Sequence, residues 1–246
     1  FYLVSGGDVT VTNVKANGTA DGTGLFISNL SSSNPLAKVT INTSGTFTNQ
    51  FNNNRDYGLY IESEGNIAVS NSQAVSNNNQ VGTTGMYLDN AYGTGSVSLV
   101  NVYFWNNRNH ATVRSHGSIL VDRVTATNAS AFGINLLVAD NQNKPVNVYR
   151  STFSYNTGYG LNITTSGIVT LNGVTASGNY SGTAYGIQVT NNGGSSIQPV
   201  NVLSSYGANS FSANYGWGLK ITSGGKVSIS KVSMVENYYG SLIITT

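Results

Sequence analysis

The sequence of 246 residues predicts an all-β fold, a parallel β-solenoid in which short strands stack coil upon coil. Apolar and polar residues alternate in runs of about four residues, which is the pattern of strands with one buried face. These runs recur at a similar spacing along the whole chain, which is typical of a repeat protein. Helical periodicity is absent, so we expect no helix longer than a turn.

Each predicted coil begins with a glycine and an alternating run. In residues 57–79, Leu59–Ile61 follow Gly58, Ile67–Val69 follow Gly65, and a third short run ends at Asn77. Equivalent first positions are Gly24, Gly58, Gly85, His110, Gly133, Gly160, Gly186, Gly218 and Gly240. They span 216 residues in eight steps, a mean of 27. We therefore predict about nine coils of ~27 residues, three short parallel sheets, and one β-solenoid domain over 1–246.

Two columns of corner residues follow from this alignment, because equal positions of stacked coils lie about 4.8 Å apart. The first column predicts a ladder of side-chain amides: Asn77, Asn107, Asn156, Asn179, Asn214 and Asn237. The second contains Asn13, Asn71, Asn101, Arg123, Arg150 and Lys231. Polar excursions at 28–38, 140–145 and 191–199 lengthen individual coils without ending the repeat.

Composition excludes several classes of function. Only 8% of residues are charged and the net charge is +2, so we expect neither a nucleic-acid partner nor a basic membrane-binding surface. Without cysteine the chain has no disulfide and no thiolate metal site. No apolar run approaches the ~20 residues of a membrane helix. No Asp-x-Asp calcium loop or phosphate loop is present, and we expect no metal or other cofactor.

The paired runs Gly58–Ile61 and Gly65–Val69, repeated over essentially the whole chain, resemble the right-handed parallel β-helix (pectate-lyase-like) repeat family. The resemblance implies a single-stranded, right-handed coil. Its members include polysaccharide lyases and hydrolases, phage tailspikes, adhesin-like surface proteins and solenoid fibres. The fold alone does not choose among these functions.

One set of residues on the first strands suggests a surface site. Glu62, Asp89 and Arg114 occupy one column of adjacent coils, and Tyr60 and Tyr87 lie beside them. One interpretation is a carbohydrate-binding groove with aromatic platforms, two carboxylates and a cation. The other is an exposed charge ladder in which the arginine offsets its acidic neighbours, a kind of contact that contributes little stability.

Catalytic motifs of the resembling enzymes are largely missing. Ser115-His116-Gly117 is similar to the Gly-His-Gly segment of polygalacturonase-like hydrolases, but their Asn-Thr-Asp motif and Asp-Asp pair do not occur here. The arginine-proline-arginine signature of pectate lyases is also missing. The two histidines, His110 and His116, are expected at corners beside a basic patch. We predict that the chain is not an enzyme; a polysaccharide lyase or hydrolase is the alternative.

Asparagines followed by x-Ser/Thr are candidate glycosylation sites if the source modifies such triplets. They are Asn17, Asn29, Asn42, Asn128, Asn162 and Asn179.

The sequence favours a structural protein of the cell surface or extracellular space. Phe1 and Leu3 at one end, and Leu242 and Ile244 at the other, have the apolar pattern of inner coil positions. A coil edge of this kind is covered when another coil stacks on it. We therefore expect a filament, fibre, sheath or adhesive component whose copies assemble end to end, or a segment of a longer such protein. The alternative is a carbohydrate-binding or carbohydrate-active β-helix of the lyase, hydrolase or tailspike kind.

Overall fold

A computed structural model of the chain describes residues 1–30, 34–45, 48–77, 83–182, 184–192 and 198–245. Parts of the predicted excursions at 28–38 and 191–199 lie outside these ranges. The predicted all-β parallel solenoid is confirmed. Within the described ranges the single helical element is a 3-10 turn at Ala139–Asn141, in agreement with the prediction.

The strands are short and follow one another with tight corners. In chain order they are β1 (Tyr2–Val4), β2 (Val9–Thr12), β3 (Leu25–Asn29), β4 (Val39–Asn42), β5 (Asn49–Gln50), β6 (Leu59–Ser63), β7 (Ile67–Val75), β8 (Thr84–Asn90), β9 (Val97–Trp105), β10 (Asn109–Ser115), β11 (Ile119–Asp122), β12 (Thr125–Thr127), β13 (Ile134–Val138), β14 (Val146–Tyr149), β15 (Thr152–Ser154), β16 (Leu161–Thr165), β17 (Val169–Asn172), β18 (Ile187–Asn191), β19 (Val200–Leu203), β20 (Asn209–Ser210), β21 (Trp217–Ser223), β22 (Val227–Ile229), β23 (Val232–Ser233) and β24 (Gly240–Thr245).

Three parallel sheets run along the solenoid, as predicted. The first has ten strands in the order β1-β3-β6-β8-β10-β13-β16-β18-β21-β24. The second follows β2-β4-β7-β9-β11-β14-β17-β19-β22, and β7 and β9 continue through a corner into the third, where they pair with β5 and β12. The coil count differs slightly from the predicted nine. The strand order is consistent with the expected right-handed β-helix.

The core is a column of inward-facing apolar side chains. Eight apolar residues from the alternating runs of two coils have at most 1% of their surface exposed: Leu59, Ile61, Ile67, Val69, Leu161, Ile163, Val169 and Leu171. Strand pairing places apolar side chains of neighbouring coils side by side, for example Ile61 beside Leu88 and Ile163 beside Val189. Phenylalanines such as Phe104 and Phe153 complete the core from the third sheet. Each buried side chain of this size contributes about 1.5–3 kcal/mol.

Left-handed backbone forms the corners. The predicted second column adopts φ between 47° and 56° at Asn13, Asn71, Asn101, Arg123, Arg150 and Lys231. A further column, which the sequence analysis missed, has φ between 53° and 63° at Asn53, Ser76, Asn106, Asn128, Tyr155, Ala213 and Glu236. Positive φ costs a residue with a side chain roughly 1–2 kcal/mol. The stack of coils maintains it, because each corner bonds to the coils on either side.

In the part of the chain that the structure describes, no helix combines the length and apolarity needed to cross a membrane.

Candidate functional site

The predicted asparagine ladder is present and fully buried over most of its length. The Nδ2 group of Asn77 donates to Oδ1 of Asn107 at 2.9 Å and to the Phe51 carbonyl at 2.7 Å. The same pattern joins Asn179 to Asn214 at 2.8 Å. Asn54, which the sequence analysis missed, extends the ladder by one coil and donates to Asn77 at 3.1 Å. The ladder asparagines satisfy backbone groups at the corner of every coil in which they occur, so their role is structural.

Strand pairing assembles the predicted surface site of Tyr60, Glu62, Tyr87, Asp89 and Arg114. Glu62 pairs with Asp89, and Asp89 with Arg114, so the three lie in one column on β6, β8 and β10. Beside them the rings of Tyr60 and Tyr87 are stacked, with centroids 4.9 Å apart and an interplanar angle of 15°. The structure therefore brings all five predicted residues together on the first sheet.

Asp89 differs from the expected exposed charge ladder because it is 3% exposed. Its Oδ2 accepts a hydrogen bond from Arg114 at 2.7 Å, and its Oδ1 accepts one from the backbone N–H of Ala91 at 2.9 Å. Interaction with Tyr87 and the charge of Asp89 raise the pKa of Arg114. The burial follows from the turn after β8, where Ala91 bonds back onto the carboxylate.

Glu62 also has a partner. The Tyr60 hydroxyl donates to its Oε1 at 2.9 Å, and burial together with this carboxylate raises the pKa of Tyr60. Both carboxylates of the column thus accept hydrogen bonds from neighbouring side chains. The arrangement can hold an aromatic face against a ligand, but neither carboxylate is free of a partner.

Aromatic stacking extends further along the sheet than the sequence analysis expected. Tyr2, Phe26, Tyr60 and Tyr87 form a continuous stack, here called the first aromatic ladder, with successive centroids 4.9, 5.1 and 4.9 Å apart. Tyr57 contacts this ladder edge-on, 5.1 Å from Tyr60. The ladder runs along the outer face of the first four strands of the sheet.

A second aromatic ladder was missed. It consists of Phe132, Tyr159 and Tyr185, with centroids 5.6 Å apart at both steps and nearly parallel rings. Each of these residues directly precedes the first glycine of its coil, and this was the signal that could have revealed the ladder. A cavity of about 190 Å³ lies beside it, lined by polar side chains of β10, β13 and β16 as well as by Phe132 and Tyr159.

The histidines do not form the expected pair of corner residues. His110 is fully buried, which the sequence analysis did not anticipate. Burial lowers the pKa of His110 to about 3. His116 lies at a turn, where Nδ1 is 2.9 Å from the Gly93 carbonyl and Nε2 is 2.5 Å from Asp140 Oδ2. The two histidine rings therefore contact different residues and do not form one site.

Charges in the second corner column form an ion-pair cluster. Arg150 donates to both oxygens of Asp122, from Nε at 2.8 Å and from the guanidinium NH2 group at 2.7 Å. Arg123 lies 3.3 Å from the same carboxylate. The Arg150 guanidinium also lies 4.8 Å from the centre of the Tyr206 ring. Among the described residues, no group of three or more His, Cys, Asp or Glu side chains is arranged to hold a metal ion.

Two of the candidate glycosylation sites are inaccessible. Asn29 is 1% exposed and its Nδ2 donates to the Ala37 carbonyl, while Asn179 belongs to the buried ladder. A glycan attaches to this nitrogen and is bulky, so both positions are corrected to structural asparagines. Asn162 is half-buried and its Nδ2 donates to Asn135. Asn17 and Asn128 are exposed and Asn42 is half-exposed, so these three remain candidate sites.

The two edge strands of the first sheet expose apolar side chains. On β1 and the residue before it, Phe1 is 74% exposed, Tyr2 75% and Val4 65%. On β24, Ile244 is 41% exposed and Leu242 is partly buried against the core. These are the strands that contain the residues predicted to form an end-to-end interface.

Comparisons with known proteins found no family model, no curated protein and no solved structure that matches the chain. The parallel β-solenoid is established by the structure, and the pectate-lyase-like resemblance remains an interpretation of the sequence.

Proposed function

We propose that the chain is a structural β-solenoid of the cell surface or extracellular space, a component of a fibre, sheath or adhesive layer. Its end coils stack on the coils of further copies, so that the parallel sheets continue from one chain to the next. The observation that supports this most strongly is the match between the two edge strands of the first sheet.

The match is one of register. Leu242 and Ile244 pair with Leu219 and Ile221, which repeats the inner positions of the preceding coil. At the other end Leu3 pairs with Ile27, and Phe1 precedes it by two residues in the column of Leu25. A second copy stacked on β24 in the same register therefore brings Phe1 over Leu242 and Leu3 over Ile244. The backbone groups on the open sides of β1 and β24 then pair as they do between neighbouring coils.

Burial of these side chains supplies the driving force. Each large apolar side chain removed from water contributes roughly 1.5–3 kcal/mol. The contact is heterologous, since the surface at one end meets a different surface at the other, and repetition of such a contact generates a filament.

The proposal includes no lyase or glycosidase activity. A hydrolytic pair needs two carboxylates about 5 to 9.5 Å apart, one of which protonates the leaving group. Glu62 accepts a hydrogen bond from the Tyr60 hydroxyl, and Asp89 is ion-paired with Arg114. Both contacts support a structural role for this column.

Sedimentation velocity over a range of concentrations tests the interface. We expect the 246-residue chain to form species larger than a monomer, and Ile244→Lys to remain monomeric because it places an ammonium group at the buried contact. Leu203→Lys is a matched control, since Leu203 is 39% exposed on the side of the solenoid and Ile244 is 41% exposed at its end. Equal assembly of the two variants, or a monomeric parent chain at high concentration, would contradict the proposal.

A further inference from the structure

We propose that the outer face of the first sheet carries a binding site for one neutral sugar ring, at the point where the two aromatic ladders end. In the column of the first ladder, Tyr87 is followed by Thr112 on the next strand. In the column of the second ladder, Phe132 is preceded one coil earlier by Asn109. Neither of these neighbours is aromatic, and the cavity of about 190 Å³ opens between them. The proposal does not depend on end-to-end assembly.

The second ladder is covered at one end and open at the other. At Tyr185 the Lys220 ammonium lies 4.9 Å from the ring centroid, a cation–π contact that occupies the terminal face. At the opposite end Phe132 stacks on Tyr159, and among the described residues no second ring stacks on its other face. Phe132 is 49% exposed. An occupant with a flat apolar face would extend the stack at this position.

Polar groups around the cavity have unused hydrogen-bonding capacity. Asn162 Nδ2 donates to Asn135 Oδ1 at 2.8 Å. Within the described part of the chain, this leaves the Asn135 amide N–H groups and the Asn162 carbonyl oxygen without protein partners. The Thr112 hydroxyl lines the same cavity. The site thus offers a donor, an acceptor and a hydroxyl that serves as either.

The absence of charge from the lining selects the class of ligand. None of the lining residues is Asp, Glu, Lys, Arg or His. A pyranose ring has C–H groups that form an apolar face and hydroxyls around its edge, which matches an aromatic platform bordered by amides. A protein's aromatic side chain would stack on Phe132 but leave the amides unpaired, which is unfavourable once they lose water. The volume is below the roughly 300–1,000 Å³ of sites for larger ligands, and so suits a single ring.

Saturation-transfer difference NMR on the whole chain tests the site, with methyl β-D-glucopyranoside and methyl β-D-galactopyranoside as probes. Galacturonate and N-acetyltyrosinamide serve as charged and aromatic comparators. We expect transfer to the C–H protons of at least one neutral glycoside, and weaker transfer to both comparators. Phe132→Ala should weaken binding about tenfold, which corresponds to the loss of one stacking contact.

A second variant and a control separate binding from folding. Asn162→Leu keeps the side-chain size but removes the amide, and should also weaken transfer while the circular dichroism spectrum stays unchanged. Tyr92→Ala removes an aromatic ring that is 64% exposed and belongs to neither ladder, so it should bind like the parent chain. The proposal is overturned by no transfer to either glycoside, by undiminished transfer in folded Phe132→Ala, or by stronger transfer to either comparator.

Discussion

The side-chain Nδ2 of Asn107 lies 3.1 Å from Nδ1 of His110, and this contact replaces a bond between two asparagines. Elsewhere each ladder amide up to Asn214 donates to the asparagine of the next coil, but the residue at that position after Asn107 is Ala129. In its own coil His110 occupies the position of the first glycine. At Gly58 an added Cβ would lie 2.6 and 2.7 Å from the Gly85 and Phe51 carbonyl oxygens and 2.9 Å from Asn77 Nδ2, so glycine is the standard residue beside the ladder asparagine. In this coil both are exchanged, and the imidazole occupies the space of the missing amide.

The exchange predicts strong coupling between positions 110 and 129. His110→Gly should destabilise the chain by about 1–3 kcal/mol, because it leaves a hole and removes one of the two acceptors of the buried Asn107 amide, the other being the Ala74 carbonyl. Ala129→Asn should also destabilise it, since the new amide competes with the imidazole for one space. The double variant restores the standard coil and should recover most of the loss. Chemical denaturation of the four proteins measures the coupling. Additive losses in the double variant would show that the two residues are independent.

Stability should fall in mild acid because of His110. Burial lowers the pKa of His110 to about 3, whereas its ordinary value is 6.5. Between these values the unfolded chain binds a proton that the folded chain does not, so the free energy of unfolding decreases as pH falls from about 6.5 toward 3. The His110→Gly/Ala129→Asn variant lacks this group, and its stability should change less between about pH 7 and about pH 4. Denaturation midpoints that fall in parallel for both proteins would contradict the assignment.

The core register predicts effects of very different size for the same substitution at two adjacent residues of β16. Ile163 has no exposed surface, and Ile163→Asp places an unpaired charge among apolar side chains. We expect a loss of more than about 3 kcal/mol or local unfolding of its coil. Thr164 points outward and is half-buried, so Thr164→Asp should change stability by less than about 1 kcal/mol. Amide hydrogen exchange across β13, β16 and β18 checks both. Similar protection in the two variants would show that the register is wrong.

The column of Glu62, Asp89 and Arg114 should contribute to the stability of the fold and should not be catalytic. Arg114→Ala leaves the buried Asp89 carboxylate without its ion pair, and the cost should be about 1–2 kcal/mol since the arginine itself is partly solvated. Incubation with pectin, polygalacturonate or alginate should release no unsaturated or reducing products. Product release that disappears in Glu62→Gln or Asp89→Asn would instead make this column an active site.

The sequence was sufficient to predict which side chains face inward and which residues of neighbouring coils share a column. Alternation fixes which face of a strand is buried, and alignment of the coils on their alternating runs places Glu62 beside Asp89 and Asn77 beside Asn107. The extent to which a polar side chain is buried was harder to predict, because the burial of Asp89 depends on the turn in which the backbone N–H of Ala91 bonds back to it. Similarly, His110 could be placed in the column of glycines, but its burial depends on the space left by Ala129 in the corner after β12.

Corner geometry was only partly predictable. Asn13 and Asn71 are residues that tolerate left-handed backbone, but Tyr155 and Ala213 have no such local preference. They adopt it because Tyr155 donates its backbone N–H to the Ser177 carbonyl, and Ala213 to that of Val235, in the next coil. The stack therefore imposes a conformation that the local sequence does not favour. The ring contacts of Phe132 and Tyr159 depend on side-chain tilt, which spacing alone does not give.

Negative-stain electron microscopy of the purified 246-residue chain tests end-to-end assembly most directly. Ten strands spaced by about 4.8 Å give a single copy a length of roughly 45 Å. We predict unbranched filaments of one solenoid's width and many times this length, which shorten or disappear for Leu242→Lys while its central coils remain folded. Isolated particles of roughly 45 Å at high protein concentration, or filaments unaffected by Leu242→Lys, would contradict the account.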